Sequence, residues 1–158
     1  AGAVTVSHLR FGPDPIKSSY LVDRANFIAC HQWSFLERYD MLGAAVKGAT
    51  FLLNAPFSAE EVWDTMPKEV QQQIIGKKLK FYVIDGVKLG NEIGLGPRIN
   101  VIMQTAFFKI SGVLPTDEAV KLVKKYTEKT YARKGADVVA KAPPKLPHMF
   151  MNALSVPE

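Results

Sequence analysis

One short segment, Thr50-Phe51-Leu52-Leu53-Asn54, is apolar through its middle and shows no alternation with polar residues. A strand with one face in water alternates apolar and polar side chains, whereas a strand covered by helices on both faces does not. Pro56 follows one residue later and disfavours a helical continuation, because it restricts the conformation of Ala55 before it. The segment therefore predicts a central strand in a sheet that carries helices on both sides.

The segments around this strand alternate between strand and helix patterns. β-Branched and aromatic residues predict further strands at 3–11, 19–22, 25–30 and 79–85. Helical spacing predicts a helix that begins at Ser34 and ends at Gly43 or Gly48. A capping box of Ser58 and Glu61 predicts a second helix that runs through Trp63. Capping residues and spacing predict four more helices, over 67–75, 86–93, 97–111 and 117–133. This order predicts an α/β fold, a three-layer α/β/α sandwich with a mostly parallel or mixed central sheet.

Length and composition limit the class of protein. A chain of 158 residues can bury one core, and its 47% apolar and 22% charged residues are typical of a globular domain. Its apolar runs are much shorter than the roughly 18 to 20 residues that cross a bilayer, and its start lacks the pattern of a secretory signal. We expect a cytoplasmic protein without a membrane partner. The net charge of +5 comes from lysines spread along helices, which argues against nucleic-acid binding.

Cys30 is the only cysteine. Iron–sulfur clusters usually need four thiolates, and no spacing of His, Cys or carboxylates indicates a metal site, so we predict no metal ligands in this chain. Cys30 and His31 are adjacent, but neighbouring side chains of a strand point to opposite faces. A buried, structural cysteine is therefore favoured over a nucleophile, and no catalytic residue is predicted. Redox chemistry would have to be supplied by a larger assembly.

The best candidate for ligand binding is the segment 94–100, where a glycine turn leads into a helix. Free amides at a helix start attract anions, and Arg98 adds a positive charge, so a phosphate group would suit this position. The alternative is an ordinary helix start that binds nothing. His8 is open to two interpretations as well, a structural histidine bonded to backbone or a binding residue. Asp85 is either a helix cap or a ligand residue.

Residues 143–158 differ from the rest of the chain. Pro143, Pro144 and Pro147 forbid a regular helix, yet the apolar residues after them favour a covered position. We therefore divide the chain into a domain, 1–142, and a Pro-rich apolar tail, 143–158, that lies on another surface.

Five blocks of sequence, spread over most of the chain, carry a family resemblance. They are TVSHLRFG at 5–12, ANFIACH at 25–31, FLLNAP at 51–56, and the longer segments 77–85 and 94–115. In these blocks the chain resembles the gamma-type domain of pyruvate:ferredoxin (flavodoxin) oxidoreductases, within the 2-oxoacid:ferredoxin oxidoreductase family. That domain normally opens with a glycine-rich strand–turn–helix ahead of the position of Ala1. The resemblance therefore implies that 1–142 is a domain incomplete at its N-terminus.

The resemblance also implies a function for the whole enzyme. Such enzymes are large, cytoplasmic and often homodimeric, and they use thiamine diphosphate and [4Fe–4S] clusters to convert pyruvate and coenzyme A into acetyl-coenzyme A and carbon dioxide. Electrons leave to ferredoxin or flavodoxin. The thiamine and the clusters are implied to bind mainly to other domains, with none bound by this chain alone, which agrees with the single cysteine. The isolated chain is expected to be inactive.

Two roles remain open for the domain itself. The first is to cover the active site and help to bind coenzyme A, with the phosphates near the start of the helix at 97–111. The second is a non-catalytic structural module that joins the catalytic domains. The residues expected at a coenzyme A site are Arg98, Asn100, Asn54, Ser7, His8 and Arg10.

Overall fold

A computed structural model describes residues 4–17, 20–92, 95–96, 98–115, 117–118, 121 and 125, together with the backbone of 152–154. Within these residues one sheet has the strand order β1 (Ala25–Cys30), β2 (Ala45–Asn54), β3 (Lys80–Ile84) and β4 (Asn152–Leu154). β1 and β3 both run parallel to β2, and β4 pairs antiparallel with β3. The sheet is therefore mixed and mostly parallel, as the sequence predicts.

Helices cover both faces of this sheet. On one face α1 (Ala59–Thr65) and α2 (Lys68–Gly76) contribute to an apolar cluster with Phe51 and Leu53 of β2. On the other face α3 (Gly86–Glu92) and α4 (Ile99–Ser111) pack in a second cluster with Leu52. Successive side chains of β2 thus enter opposite cores, which explains the absence of polar residues in its middle. The predicted α/β/α sandwich is confirmed.

The predicted capping residues form capping hydrogen bonds in the structure. The Ser58 hydroxyl accepts a hydrogen bond from the Glu61 amide at 3.3 Å, and the Glu61 carboxylate accepts one from the Ser58 amide at 3.2 Å. The Asp85 carboxylate accepts from the Lys88 amide at 2.9 Å and thereby caps α3. Of the two interpretations of Asp85, the structure supports the helix cap.

Two predicted strands are wrong. Residues 4–11 and 20–22 have strand-forming sequences, but the structure gives neither segment a sheet partner. Strand propensity largely measures packing on a pleated, half-buried surface, and Val6 and Leu9 find none, since both are about two-thirds exposed. The predicted first strand is therefore an irregular segment.

The helix predicted from Ser34 is also wrong. A 3-10 helix at Trp33–Phe35 is followed by turns until β2 begins. Leu36 and Leu42 are both buried in the first apolar cluster, although no regular helix joins them. Most of the helix predicted at 117–133 lies outside the described residues, as does the tail apart from the backbone of 152–154. Among the described residues, no helix combines the length and hydropathy that a bilayer crossing requires.

Candidate functional site

The candidate site lies where the three parallel strands end. Because β1, β2 and β3 run in one direction, their carboxyl ends meet at the same edge of the sheet. Asn54 closes β2 there, and Gly86 starts α3 just after β3. The first residue of α4, Ile99, packs against Gly86, so that a Cβ added to this glycine would lie 3.4 Å from the Ile99 Cγ2. The start of α4 therefore lies at the carboxyl edge.

Asn54 joins three elements at this edge. Its Nδ2 donates a hydrogen bond to the His31 carbonyl oxygen at 3.0 Å, just after β1. Its Oδ1 accepts one from the Gly86 amide at 2.8 Å, at the start of α3. Asn54 is only 8% exposed; its bond to Gly86 is buried, and its bond to His31 is partly buried. Asn54 therefore connects the ends of β1 and β2 to the start of α3.

The turn before α4 is fixed by backbone contacts with α3. The amides of Leu95 and Gly96 both donate to the Gly90 carbonyl oxygen, at 2.7 and 3.0 Å. A Cβ on Gly90 would collide with the Gly96 carbonyl oxygen, so the two segments approach closely. Arg98 is half-buried and its Nη1 donates to the Leu95 carbonyl oxygen at 3.0 Å. These contacts hold the start of α4 in place.

The first turn of α4 presents amides without a local acidic partner. Its N-cap residue, Arg98, makes no side-chain capping hydrogen bond, and the first turn contains no acidic residue. The start of α1, by contrast, has a full capping box and two glutamates. Asn100 lies exposed in the first turn of α4. An anion would be attracted to the start of α4 more than to the start of α1.

The other three predicted ligand residues lie in a different segment. The His8 Nδ1 accepts a hydrogen bond from the Val22 amide at 3.1 Å, which supports its interpretation as a structural histidine. Arg10 donates to the Leu21 carbonyl oxygen at 3.0 Å, and Ser7 is exposed.

This segment is attached to α4 well away from the helix start. The rings of Phe11 and Phe107 contact each other, with centroids 5.7 Å apart. Phe107 lies eight residues beyond Ile99, about 12 Å along the helix axis. The structure therefore brings Asn54, Arg98 and Asn100 to one edge, and it anchors Ser7, His8 and Arg10 through a contact farther along α4.

Cys30 and His31 do not form a nucleophilic pair. Cys30 is fully buried, its Sγ donates to the Gln32 carbonyl oxygen at 3.1 Å, and His31 is partly exposed. Burial raises the pKa of the Cys30 thiol, and a backbone hydrogen bond at Gln32 opposes this more weakly. Partial burial lowers the pKa of His31. A neutral, enclosed thiol is a poor nucleophile, so the burial of Cys30 favours its structural interpretation. The described part of the chain contains no cluster of three or more His, Cys, Asp or Glu that could hold a metal ion.

Sequence reasoning missed two features of this edge. The sequence predicts Asn54 as a ligand residue, but no local pattern indicates that both ends of its amide bond to backbone 23 and 32 residues away. The contact of Gly90 with Gly96 was also missed. A glycine inside a short helix is a signal for close backbone approach, and it could have indicated this contact.

The protein is a three-layer α/β domain. Its mostly parallel sheet lies between two helical layers, and a helix starts at the carboxyl edge of the sheet. Residues 1–142 match the family described as pyruvate ferredoxin/flavodoxin oxidoreductase. The chain belongs to this family.

Similar proteins come from several organisms. The chain is 55% identical over 139 residues to a pyruvate-flavodoxin oxidoreductase of Rhodospirillum rubrum, and 54% identical over 139 residues to a pyruvate:ferredoxin oxidoreductase of Moorella thermoacetica. Each match covers 88% of this chain and 12% of the relative. A mitochondrial pyruvate dehydrogenase [NADP(+)] of Euglena gracilis is 45% identical over 88% of this chain and 8% of its own length. The chain thus spans about one-eighth or less of these relatives.

A solved structure shares the fold. It is the PORC subunit of a pyruvate oxidoreductase from Thermotoga maritima, with a TM-score of 0.57 over 77% of this chain and 59% of that subunit. At 16% identity this likeness concerns the fold alone.

Proposed function

We propose that the chain is one domain of a large cytoplasmic oxidoreductase, a homodimer, that oxidatively decarboxylates pyruvate with coenzyme A to acetyl-coenzyme A and carbon dioxide. Electrons pass to ferredoxin or flavodoxin. The names of the relatives and the small share of their length that this chain spans support the proposal. Thiamine diphosphate and [4Fe–4S] clusters are bound by other domains in this scheme. The single cysteine, buried in the apolar core, fits that division.

The role of this domain in the proposal is to hold the phosphates of coenzyme A at the start of α4. The observation that carries it is the composition of this helix start, where Arg98 is the N-cap and neither a capping side chain nor an acidic residue occupies the first turn. The amides and the guanidinium can then both attract an anion, because helix dipole and formal charge have the same sign there. Asn100 lies exposed in the same turn and adds a neutral polar contact.

The remaining residues have supporting roles. Asn54 fixes the floor of the site, since its amide is bonded to the backbone on both sides. Ser7, His8 and Arg10 contact the coenzyme away from its phosphates, because their segment meets α4 near Phe107. The domain thereby closes over the thiamine site that other domains provide.

Replacement of Arg98 tests this role. In the full-length oxidoreductase, Arg98→Ala should raise the apparent KM for coenzyme A roughly tenfold, since a charge-assisted hydrogen bond contributes about 1.5 to 3 kcal/mol. The KM for pyruvate should change little. Steady-state assays with each substrate varied in turn measure both values. Arg38→Ala, at an exposed position in the turns after β1, is the matched control and should leave both values unchanged. Equal changes for the two substrates, or no change, would contradict a phosphate-binding role.

A further inference from the structure

Exposed apolar side chains are concentrated in one part of the molecule. We name residues 6–17 and 20–22 the apolar arm. Six large apolar side chains of the arm are between 47% and 70% exposed, and among the described residues outside it only four others are exposed, each by less than half. The six are Val6, Leu9, Phe11, Ile16, Tyr20 and Leu21.

Polar groups hold the two halves of the arm together. The His8 ring accepts from the Val22 amide, and Arg10 donates to the Leu21 carbonyl oxygen. The Arg10 guanidinium also lies 5.0 Å from the centre of the Tyr20 ring, a cation–π contact. Leu9 lies between His8 and Arg10 in the sequence, and its side chain is 68% exposed. Two polar side chains of the arm, His8 and Arg10, thus bond within it, whereas its large apolar side chains are exposed.

Aromatic contacts fix the arm to the domain. The ring of Phe11 meets Phe107 of α4, and Phe107 in turn packs edge-on against Phe27 of β1 at 4.9 Å. Phe11 remains 52% exposed in spite of this contact. The exposed face is thus held on the side of the sheet that carries α4, next to β1.

A fixed apolar surface of this kind indicates a protein partner. Each Å² of apolar surface removed from water contributes about 25 cal/mol, and clustered exposed apolar side chains in soluble proteins mark interaction sites. The described arm holds two basic residues, Arg10 and Lys17, and one acidic residue, Asp14, so it presents little net charge. A partner of complementary chemistry is apolar and also weakly charged.

We infer that the apolar arm docks on an apolar surface of another domain of the same polypeptide. The relatives are long enough to contain such a partner domain. The match covers 12% of the Rhodospirillum rubrum and Moorella thermoacetica proteins, so 88% of each lies outside it. The inference rests on the proposal that the chain is a domain of a larger oxidoreductase, and it is independent of the phosphate site at Arg98. The arm acts as an internal joint that positions the domain against its neighbour.

Hydrogen–deuterium exchange on the full-length oxidoreductase tests the joint. Amides of residues 6–11 and 20–22 should exchange at least about a hundredfold more slowly than in an unstructured peptide, because docking buries them. The double substitution Leu9→Glu with Leu21→Glu should accelerate their exchange tenfold or more. The control is Ile75→Glu with Val87→Glu, two exposed apolar positions on α2 and α3, which should leave exchange in the arm unchanged.

Two results would overturn the inference. One is exchange in the arm of the intact enzyme as fast as in an unstructured peptide. The other is a concentration-dependent dimer of the 158-residue chain in sedimentation that Leu9→Glu with Leu21→Glu abolishes and the control retains, which would assign the arm to a second copy. A normal KM for coenzyme A in Arg98→Ala would refute the phosphate site alone, so the two proposals fail separately.

Discussion

At the scale of single residues, Asn54 has the strongest structural role at the candidate site. Its amide is buried, and it bonds to a carbonyl oxygen after β1 and to an amide at the start of α3. Removing a buried partner leaves the remaining groups unsatisfied, which costs more than the net value of the hydrogen bond itself. The Asn54 side chain, which the sequence predicts as a ligand residue, therefore already forms hydrogen bonds with the backbone.

Asn54→Ala should lower the free energy of unfolding of the chain by about 2 to 4 kcal/mol, because a buried amide and a partly buried carbonyl oxygen lose their partner. Urea denaturation followed by circular dichroism measures this change. Asn91→Ala, at an exposed position of α3, is the control and should change stability by less than about 0.5 kcal/mol. Equal losses of stability in the two variants would show that the two hydrogen bonds of Asn54 contribute nothing to folding.

At the scale of elements, the close approach of α3 to the turn before α4 determines the geometry of the site. The Gly90 carbonyl oxygen accepts two hydrogen bonds from this turn, and the Gly90 Cα leaves no room for a side chain. Gly76, at the end of α2, has no atom within 4 Å of an added Cβ. The two helical glycines therefore differ in their surroundings although both occur in short helices.

Replacing each glycine by alanine should destabilise the chain at Gly90 but not at Gly76. Gly90→Ala should destabilise the chain by about 1 to 3 kcal/mol, because the turn at 95–96 must move away. Gly76→Ala should be neutral or stabilise by up to about 1 kcal/mol, since alanine restricts the unfolded chain and favours the helix. Urea midpoints of the two variants measured side by side test this expectation. Two changes of the same sign and size would contradict it.

At the scale of the whole molecule, the sheet separates two apolar cores and also connects them. Phe51 and Leu53 enter the first core, whereas Leu52, between them, enters the second. The rings of Phe51 and Phe81 stack at 5.4 Å and link β2 to β3 within the first core. Loss of either core removes support from the same strand, so both should unfold in one transition.

Ile102→Ala in the second core should therefore affect a probe in the first. Both tryptophans, Trp33 and Trp63, pack against the first core, so their fluorescence reports its unfolding. The substitution should destabilise the chain by about 2 to 5 kcal/mol and shift the fluorescence and circular dichroism midpoints together. Gln104→Ala, exposed on the same helix, is the control. A fluorescence midpoint that stays in place would show that the two faces unfold separately.

The sequence by itself determined most of the regular elements. The apolar segment in the middle of β2, the capping box at α1 and the turn residues between elements specify local structure through burial and backbone hydrogen bonds within a few residues. These signals predicted the positions of β1, β3 and the four helices α1 to α4. The family resemblance rests on the same stretches and is confirmed over residues 1–142.

Only the tertiary structure decided the conformation of segments whose partners are distant in sequence. Residues 4–11 have strand propensity but no neighbouring strand, and Leu36 and Leu42 reach the core without a helix between them. The amide of Asn54 and the backbone of Gly90 are engaged by groups that no local pattern indicates. Propensity and capping are properties of neighbouring residues, whereas pairing, close approach and buried hydrogen bonds arise only when the folded chain brings separate segments together.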